Sequence, residues 1–232
     1  MKIISIIPAR GGSKGLPRKN ILDLSGKPLI AWTIEASLKS TYITKTVVSS
    51  DDDEILSIAA DFGADSIRRP DELAQDMTPS EPVIEHVLQN IENISEYDYL
   101  ILLQPTSPLR DEKDIDTSLG ILIEKKATSL ISVKEIDNKI LKAFKQDKNG
   151  YLEGISNNIF PFLRRQDLPK VFMPNGAIYI VSIKEFQNSK KLFTNKTIPY
   201  IMNEQNSFDI DTIEDFENIK NYIHSRKQKN NK

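Results

Sequence analysis

Ile3-Ile4-Ser5-Ile6-Ile7 runs straight into Pro8-Ala9-Arg10-Gly11-Gly12-Ser13-Lys14-Gly15-Leu16-Pro17-Arg18-Lys19-Asn20, and this junction decides the fold. An apolar run of that length opening a domain reads as a buried strand of a parallel sheet. The loop leaving its carboxyl end carries three glycines and the cations Arg10, Lys14, Arg18 and Lys19. Glycines let backbone N–H groups approach a ligand, and clustered Lys and Arg supply charge for phosphate oxygens. The spacing fits neither a Walker A loop nor a GxGxxG dinucleotide fingerprint. A solvated basic loop explains the charges but not their place directly after a buried strand. Ligands of open α/β sheets sit outside strand carboxyl ends, so the loop reads as phosphate-binding.

Outward from the loop, short β-branched runs alternate with amphipathic helical patterns through the first 135 residues. Pro28 opens a predicted helix to about Ser40, with Ile30, Ile34 and Leu38 as its stripe. Thr46-Val47-Val48-Ser49 is the next strand and ends on Asp51-Asp52-Asp53, read as a helix N-terminus in preference to a metal site. A helix near 82–94, the strand Tyr99-Leu100-Ile101-Leu102-Leu103, a helix near 113–125 and the strand Ser129-Leu130-Ile131-Ser132-Val133 complete the alternation. Alternating strand and helix implies an α/β fold, a doubly wound, mostly parallel sheet covered on both faces. Between 137 and 173 the rhythm breaks into an insertion, with a hairpin turn at Lys145-Gln146-Asp147-Lys148-Asn149-Gly150. Strands return at Ala177-Ile178-Tyr179-Ile180-Val181 and Ile198-Pro199-Tyr200-Ile201. A last helix follows Asp211-Thr212 with Phe216, Ile219 and Ile223 as its stripe. The basic tail, 226–232, reads as a frayed terminus.

The 232 residues suit one domain with a modest insertion, and a formal net charge of -2 gives no footprint for nucleic acid. Without cysteine there are no disulfides, thiolate catalysis or thiolate metal sites, as befits a reducing cytoplasm. Neither a signal peptide nor a run of about 20 apolar residues is present, so an intracellular protein off the membrane is expected.

Two further features carry chemistry by themselves. Gln104 follows the most apolar strand, stiffened by Pro105 and Pro108, where it can hydrogen-bond a polar substrate. Asp209-Ile210-Asp211, read as a strand end, puts two carboxylates on one side, where they can share a hard cation. The competing role is for Asp211 or Thr212 to cap the last helix. Mg²⁺ suits the carboxylates better than zinc, since His86 and His224 fall on predicted helices and read as structural.

The opening loop, Arg69-Pro70-Asp71-Glu72-Leu73-Ala74, Gln104-Pro105-Thr106-Ser107-Pro108-Leu109-Arg110, Pro174-Asn175-Gly176-Ala177-Ile178-Tyr179-Ile180 and Asp209-Ile210-Asp211-Thr212 occur in an order and spacing that resembles the CMP-sialic acid synthetases, including legionaminic acid relatives. The resemblance spans about residues 2–222. It implies a three-layer, Rossmann-like nucleotidyltransferase, and attack by an acid sugar on the α-phosphorus of CTP, with Mg²⁺ (or Mn²⁺) and release of pyrophosphate. It implies that Ala9, Arg10, Gly12, Ser13, Lys14, Lys19, Asn20, Arg69 and Ser80 hold the nucleotide. Arg10, Lys19 and Asp211 are the implied catalytic residues, and Asp209 and Asp211 the metal ligands. Gln104, Lys142, Arg165, Tyr179 and Phe193 would meet the sugar, with Leu192 where the family has a second ring. The insertion would build a homodimer. Arg110 is left without a role, as helix cap or acid-group ligand. Two rivals are an enzyme for the eight-carbon acid sugar of lipopolysaccharide and a non-catalytic nucleotide-binding regulator.

Overall fold

The computed structural model describes residues 1–230, with side chains to Arg226. The opening run forms β1 (Ile3–Pro8), where Ile3, Ile4, Ile6 and Ile7 are wholly buried. Each such side chain contributes about 1.5–3 kcal/mol by leaving water. β1 pairs in parallel with β2 (Lys45–Ser50), which pairs with β3 (Asp65–Arg68). On its other side β1 pairs in parallel with β4 (Tyr99–Leu102). The sheet continues through β5 (Ser129–Ile136), β8 (Val171–Ser182) and β9 (Thr197–Ile201), in the order β3-β2-β1-β4-β8-β5-β9. Only β8 runs against its neighbours, so the sheet is mostly parallel as expected. The strand order reverses direction at β1 and β4, and a crevice opens where their carboxyl ends part.

Helices α1 (Leu29–Lys39), α2 (Asp53–Asp61) and α4 (Glu112–Glu124) bring Ile30, Ile34, Ile55 and Leu119 to one face of the sheet. α3 (Ser80–Gln89) and α5 (Ile183–Ser189) bring Ile84, Val87 and Phe186 to the other, which gives three layers. α6 (Ile213–Asn230) packs Phe216, Ile219 and Ile223 against Leu16, Leu24 and Leu29. The expected frayed tail lies, beyond Arg226, outside the residues whose side chains are described. Among the described residues, no helix is long and apolar enough to cross a membrane.

Four local readings change. Leu38 is exposed, and the third buried position on the α1 stripe is Ser37, whose hydroxyl meets Thr46 Oγ1 at 2.7 Å. At 3.6 residues per turn, i+7 stays closer to the stripe than i+8. α3 starts two residues before Pro82, a place in the first turn that proline tolerates. It stops at Gln89, well short of 94. β3 and α5 are additional elements, too short to show a period.

The acidic triplet is a cap, as read. Asp52 accepts from the N–H groups of Glu54 and Ile55 at 3.0 and 3.1 Å. Asp53 pairs with Arg68, and Asp51 accepts from Gly11 N–H at 3.1 Å. Residues 137–173 leave the sheet between β5 and β8 and form a hairpin of β6 (Phe144–Gln146) and β7 (Leu152–Gly154). Around it Tyr151, Leu152, Ile159 and Phe162 stand 73%, 71%, 67% and 81% exposed, an apolar surface on a segment with little core of its own.

Candidate active site

The carboxyl ends of β1 and β4 open onto a cavity of about 200 Å³. Arg10, Gly12, Ser13, Lys19 and Asn20 form one wall, Arg69 and Ser80 another, and Gln104, Pro105 and Thr106 a third. The loop thus stands where its position after a buried strand implied. Arg18 takes a left-handed conformation (φ 53°) and turns away to Asp52, at 2.9 Å, and Glu54. Lys19 turns inward: its Nζ donates to the carbonyl of Ile210 at 2.6 Å and lies 3.5 Å from Asp211 Oδ1. Asn20 is buried and donates from Nδ2 to Arg10 O at 2.9 Å, bracing the loop.

The three loop glycines divide the work, and Gly12 is the one named for the nucleotide. A Cβ on Gly11 would stand 2.6 Å from the Asp52 carboxylate, and one on Gly15 2.6 Å from Asp211 O. Both allow loops to pack against each other, and Gly12 alone faces open space. Ala9 does not line the cavity. It is 1% exposed, its N–H bonds Ser49 O at 3.0 Å, and it supports the loop from beneath. Lys14 also lies outside the cavity wall, 85% exposed and paired with Asp76 at 2.5 Å. Arg10 pairs with the same carboxylate, and these two contacts, Lys14 first, hold Asp76 below the usual carboxylate range.

Arg69 is 4% exposed and has Asp51 Oδ1 at 3.6 Å. Burial lowers its pKa, with Asp51 opposing. Asp209-Ile210-Asp211 is not a strand end: β9 closes at Ile201, a 3-10 turn follows at Glu204–Asn206, and the acidic residues lie on the loop into α6. Ile210 is wholly buried beside Leu16 and Phe216, which fixes the loop between the carboxylates. Thr212 and Asp215 cap α6 reciprocally, with Asp215 Oδ2 accepting from Thr212 N–H at 2.8 Å. This leaves Asp211 free of the capping role, its side chain 77% exposed.

Asp209 is half-buried, and burial pushes its pKa up, reinforced by Asp211 and opposed by Thr106 and Lys19. Its Oδ1 is buried with no hydrogen-bond partner, an orphaned anionic oxygen that a cation would satisfy. Among the described residues no cluster of three or more metal-ligating side chains occurs. Two carboxylates suit Mg²⁺, which keeps waters and takes substrate phosphates as its other ligands.

The sugar residues are more scattered. Gln104 lines the cavity, and Gly176 (φ +79°) on β8 passes so close that a Cβ there would lie 3.1 Å from Gln104 Oε1. The close approach comes from an irregularity in the β5–β8 register, where Asn175 accepts from Ser132 Oγ at 2.5 Å and donates to Ser207 Oγ at 2.9 Å. Tyr179 sits opposite Leu102, half-buried, its pKa raised by burial and then by Asp209. Lys142 and Arg165 lie in the excursion, outside the cavity wall, with Arg165 3.6 Å from Asp137. Phe193 also lies outside the cavity wall. It is 66% exposed and adjoins Thr194, whose hydroxyl meets Thr128 Oγ1 at 2.6 Å at the start of β5. That is the opposite end of the sheet from Gln104, about 13 Å or more along the strands.

Asp51, Asp76 and Thr106 are contributors that sequence reasoning missed. Thr106 O accepts from Ile210 N–H at 2.9 Å, tying the Gln104 loop to the acidic loop. Its place inside the Gln104–Arg110 block was the available signal.

The sequence profile of a family described as Cytidylyltransferase matches residues 4–231. The chain is 37% identical over 217 residues to the N-acylneuraminate cytidylyltransferase of Escherichia coli O18:K1:H7 (strain RS218 / NMEC), covering 93% of this chain and 51% of that protein. It therefore spans about half the length of that relative. It is 35% identical over 223 residues to the CMP-N,N'-diacetyllegionaminic acid synthase of Legionella pneumophila subsp. pneumophila (strain Philadelphia 1 / ATCC 33152 / DSM 7513), covering 91% of this chain and 92% of that one. Among solved structures, CMP:2-keto-3-deoxy-manno-octonic acid synthetase complexed with CTP shares the fold, with a TM-score of 0.73 at 20% identity, over 97% of this chain and 100% of that one.

Proposed function

Because this chain belongs to the cytidylyltransferase family, we propose that it transfers the cytidylyl group of CTP to a nine-carbon acid sugar of the N-acetylneuraminic or legionaminic acid type, releasing pyrophosphate. One observation carries this reading: the cationic loop and the acidic loop meet beside the cavity, Lys19, which lines it, placing Nζ on Ile210 O and beside Asp211. The reaction needs that juxtaposition, because charge builds on phosphate oxygens as the α-phosphorus is attacked.

Arg10 and Lys19 bind the triphosphate, and Lys19 faces the charge of departing pyrophosphate. Asn20 and Arg69 hold the nucleotide, and Ser80 opens α3 with its hydroxyl at the cavity. Asp209 and Asp211 would hold Mg²⁺, or Mn²⁺ in its place, which when bound neutralises phosphate charge and orients the chain for displacement. Gln104 and Tyr179 orient the sugar, whose anomeric hydroxyl is the nucleophile. The excursion forms a homodimer in which Lys142 and Arg165 reach the neighbouring cavity and answer the sugar carboxylate. The reaction belongs in the cytoplasm with its nucleotide.

Pyrophosphate release against a panel of CTP, UTP, sialic acid, legionaminic acid, the eight-carbon acid and a neutral hexose 1-phosphate tests the reading. CTP with either nine-carbon acid is expected to give the highest kcat/KM. A higher value for the eight-carbon acid or the hexose phosphate overturns the substrate, and nucleotide binding without turnover overturns the activity.

A further inference from the structure

We propose that Arg110 is a positioning residue that sets the geometry of Gln104 and, through Thr106, of the acidic loop. Arg110 is 1% exposed and among the largest fully buried side chains. Its Nη2 donates to Thr33 Oγ1 on α1 at 2.8 Å and to the carbonyl of Gln104 at 3.4 Å, while Nε and Nη1 have no protein acceptor. A buried guanidinium with two nitrogens lacking any protein acceptor costs more than a methionine of similar length. Nothing in packing calls for it. Burial lowers its pKa to about 10, opposed by Asp114 and Asp111, so it keeps its charge at neutral pH.

What the charge holds is the turn between β4 and α4. Ser107 N–H bonds Gln104 O at 3.4 Å, the carbonyl that the Arg110 side chain also reaches, and Arg110 N–H bonds Ser107 O at 3.3 Å, so Arg110 holds the turn at two successive carbonyls, one by its side chain and one by its backbone. Thr106, inside that turn, receives Ile210 N–H. On its far side Arg110 is attracted by Asp114, which accepts from Tyr200 OH at 2.9 Å and Asn206 Nδ2 at 3.0 Å, just ahead of Asp209. One buried cation therefore stands between the loop that presents Gln104 and the loop that presents the two carboxylates.

The kinetic part of the test rests on Gln104 being the sugar contact; hydrogen exchange does not. In Arg110→Met, amides of 104–110 and 205–212 are expected to exchange about tenfold or more faster, while those of β1 and β2 keep their protection. The acid-sugar KM should rise and kcat fall by a combined ten- to hundredfold, roughly the cost of a 1 Å misplacement, with the KM for CTP within about twofold. Arg110→Lys, which keeps the charge but not the fork, should recover part of both losses. If Arg110→Met does not fold, Thr33→Val removes the lateral acceptor at constant volume and should loosen the same two segments. Unchanged exchange in those segments, an equal rise across β1 and β2, or parallel shifts in both KM values overturns the proposal. If the wild-type chain turned over no acid sugar, the functional reading would fall and the exchange data would still decide this one.

Discussion

At the cavity, the charged side chains already have partners from other loops: Arg10 and Lys14 share Asp76, Arg69 faces Asp51, and Lys19 lies on Ile210 O beside Asp211. In the excursion of 137–173 the imbalance is apolar, and Tyr151, Leu152, Ile159 and Phe162 face solvent. One region is preorganised from within, because polar groups fixed by packing lose little freedom when a charged ligand arrives. The other is finished only by a second surface, because a hairpin with three-residue strands cannot bury enough area to stand alone. The two halves of substrate recognition thus obey different rules. On the proposed reading nucleotide and metal contacts would be intramolecular, and the cations that would answer the sugar carboxylate sit on the segment with little core of its own.

The largest effect that tests this division is at Asp209. Asp209→Asn should cost about 10²–10³-fold in turnover, since it removes an anionic ligand where phosphate charge is neutralised. The same change should raise the melting temperature above neutrality. Burial holds the folded pKa of Asp209 above its unfolded value, so the charged form is disfavoured in the fold. The stability tied to its proton is present at low pH and is lost as pH rises through the folded pKa. An amide removes that loss, and the gain should shrink as the medium is acidified. A variant that melts lower at pH 8, or wild-type turnover undiminished in excess chelator, breaks the account of the cavity.

A smaller effect is expected in the excursion. Ile159→Ser combined with Phe162→Ser should convert a dimer mass in light scattering to a monomer, with the acid-sugar KM raised about tenfold and the CTP KM unmoved, a charge-assisted contact being worth that much. Equal loss for both substrates would erase the contrast between the regions. The smallest effect concerns Asp76, an exposed carboxylate that occupies Arg10 and Lys14. Asp76→Asn should raise the KM for CTP by less than about fivefold, as exposed ion pairs are weak, and more so at low salt. A lowered KM would mean that Asp76 competes for those cations instead of preorganising them.

The elements with a strong period were legible: β1, β2, β4 and β5 as apolar runs, α4 and α6 as amphipathic stripes. So was the loop, since a cluster of cations after a buried strand has few other uses. Asp209-Ile210-Asp211 was read as a strand because the apolar middle residue is indeed buried, but its burial comes from packing on α6 rather than from a pleat. Phe193 and Ala9 lie outside the cavity wall for a related reason. A motif gives order along the chain, and whether a residue faces the cavity depends on the end of the sheet and the side of the loop it occupies. Asp76 and Asp51 carried no local signal, because their partners lie well beyond a turn or a helix repeat in sequence and meet them only through the crossovers.

The bond from Lys19 to Ile210 joins residues 191 positions apart, and this sets the order in which the molecule matures. A nascent chain can lay down β1, β2 and β4 early, and with them a pocket rimmed by cations. The acidic loop, with both carboxylates, leaves the ribosome long after them. Until then Gly15 has no Asp211 backbone to pack against. Chains released before residue 209 are therefore expected to bind nucleotide loosely and spend none of it, so catalytic competence marks a chain that has been read through its acidic loop.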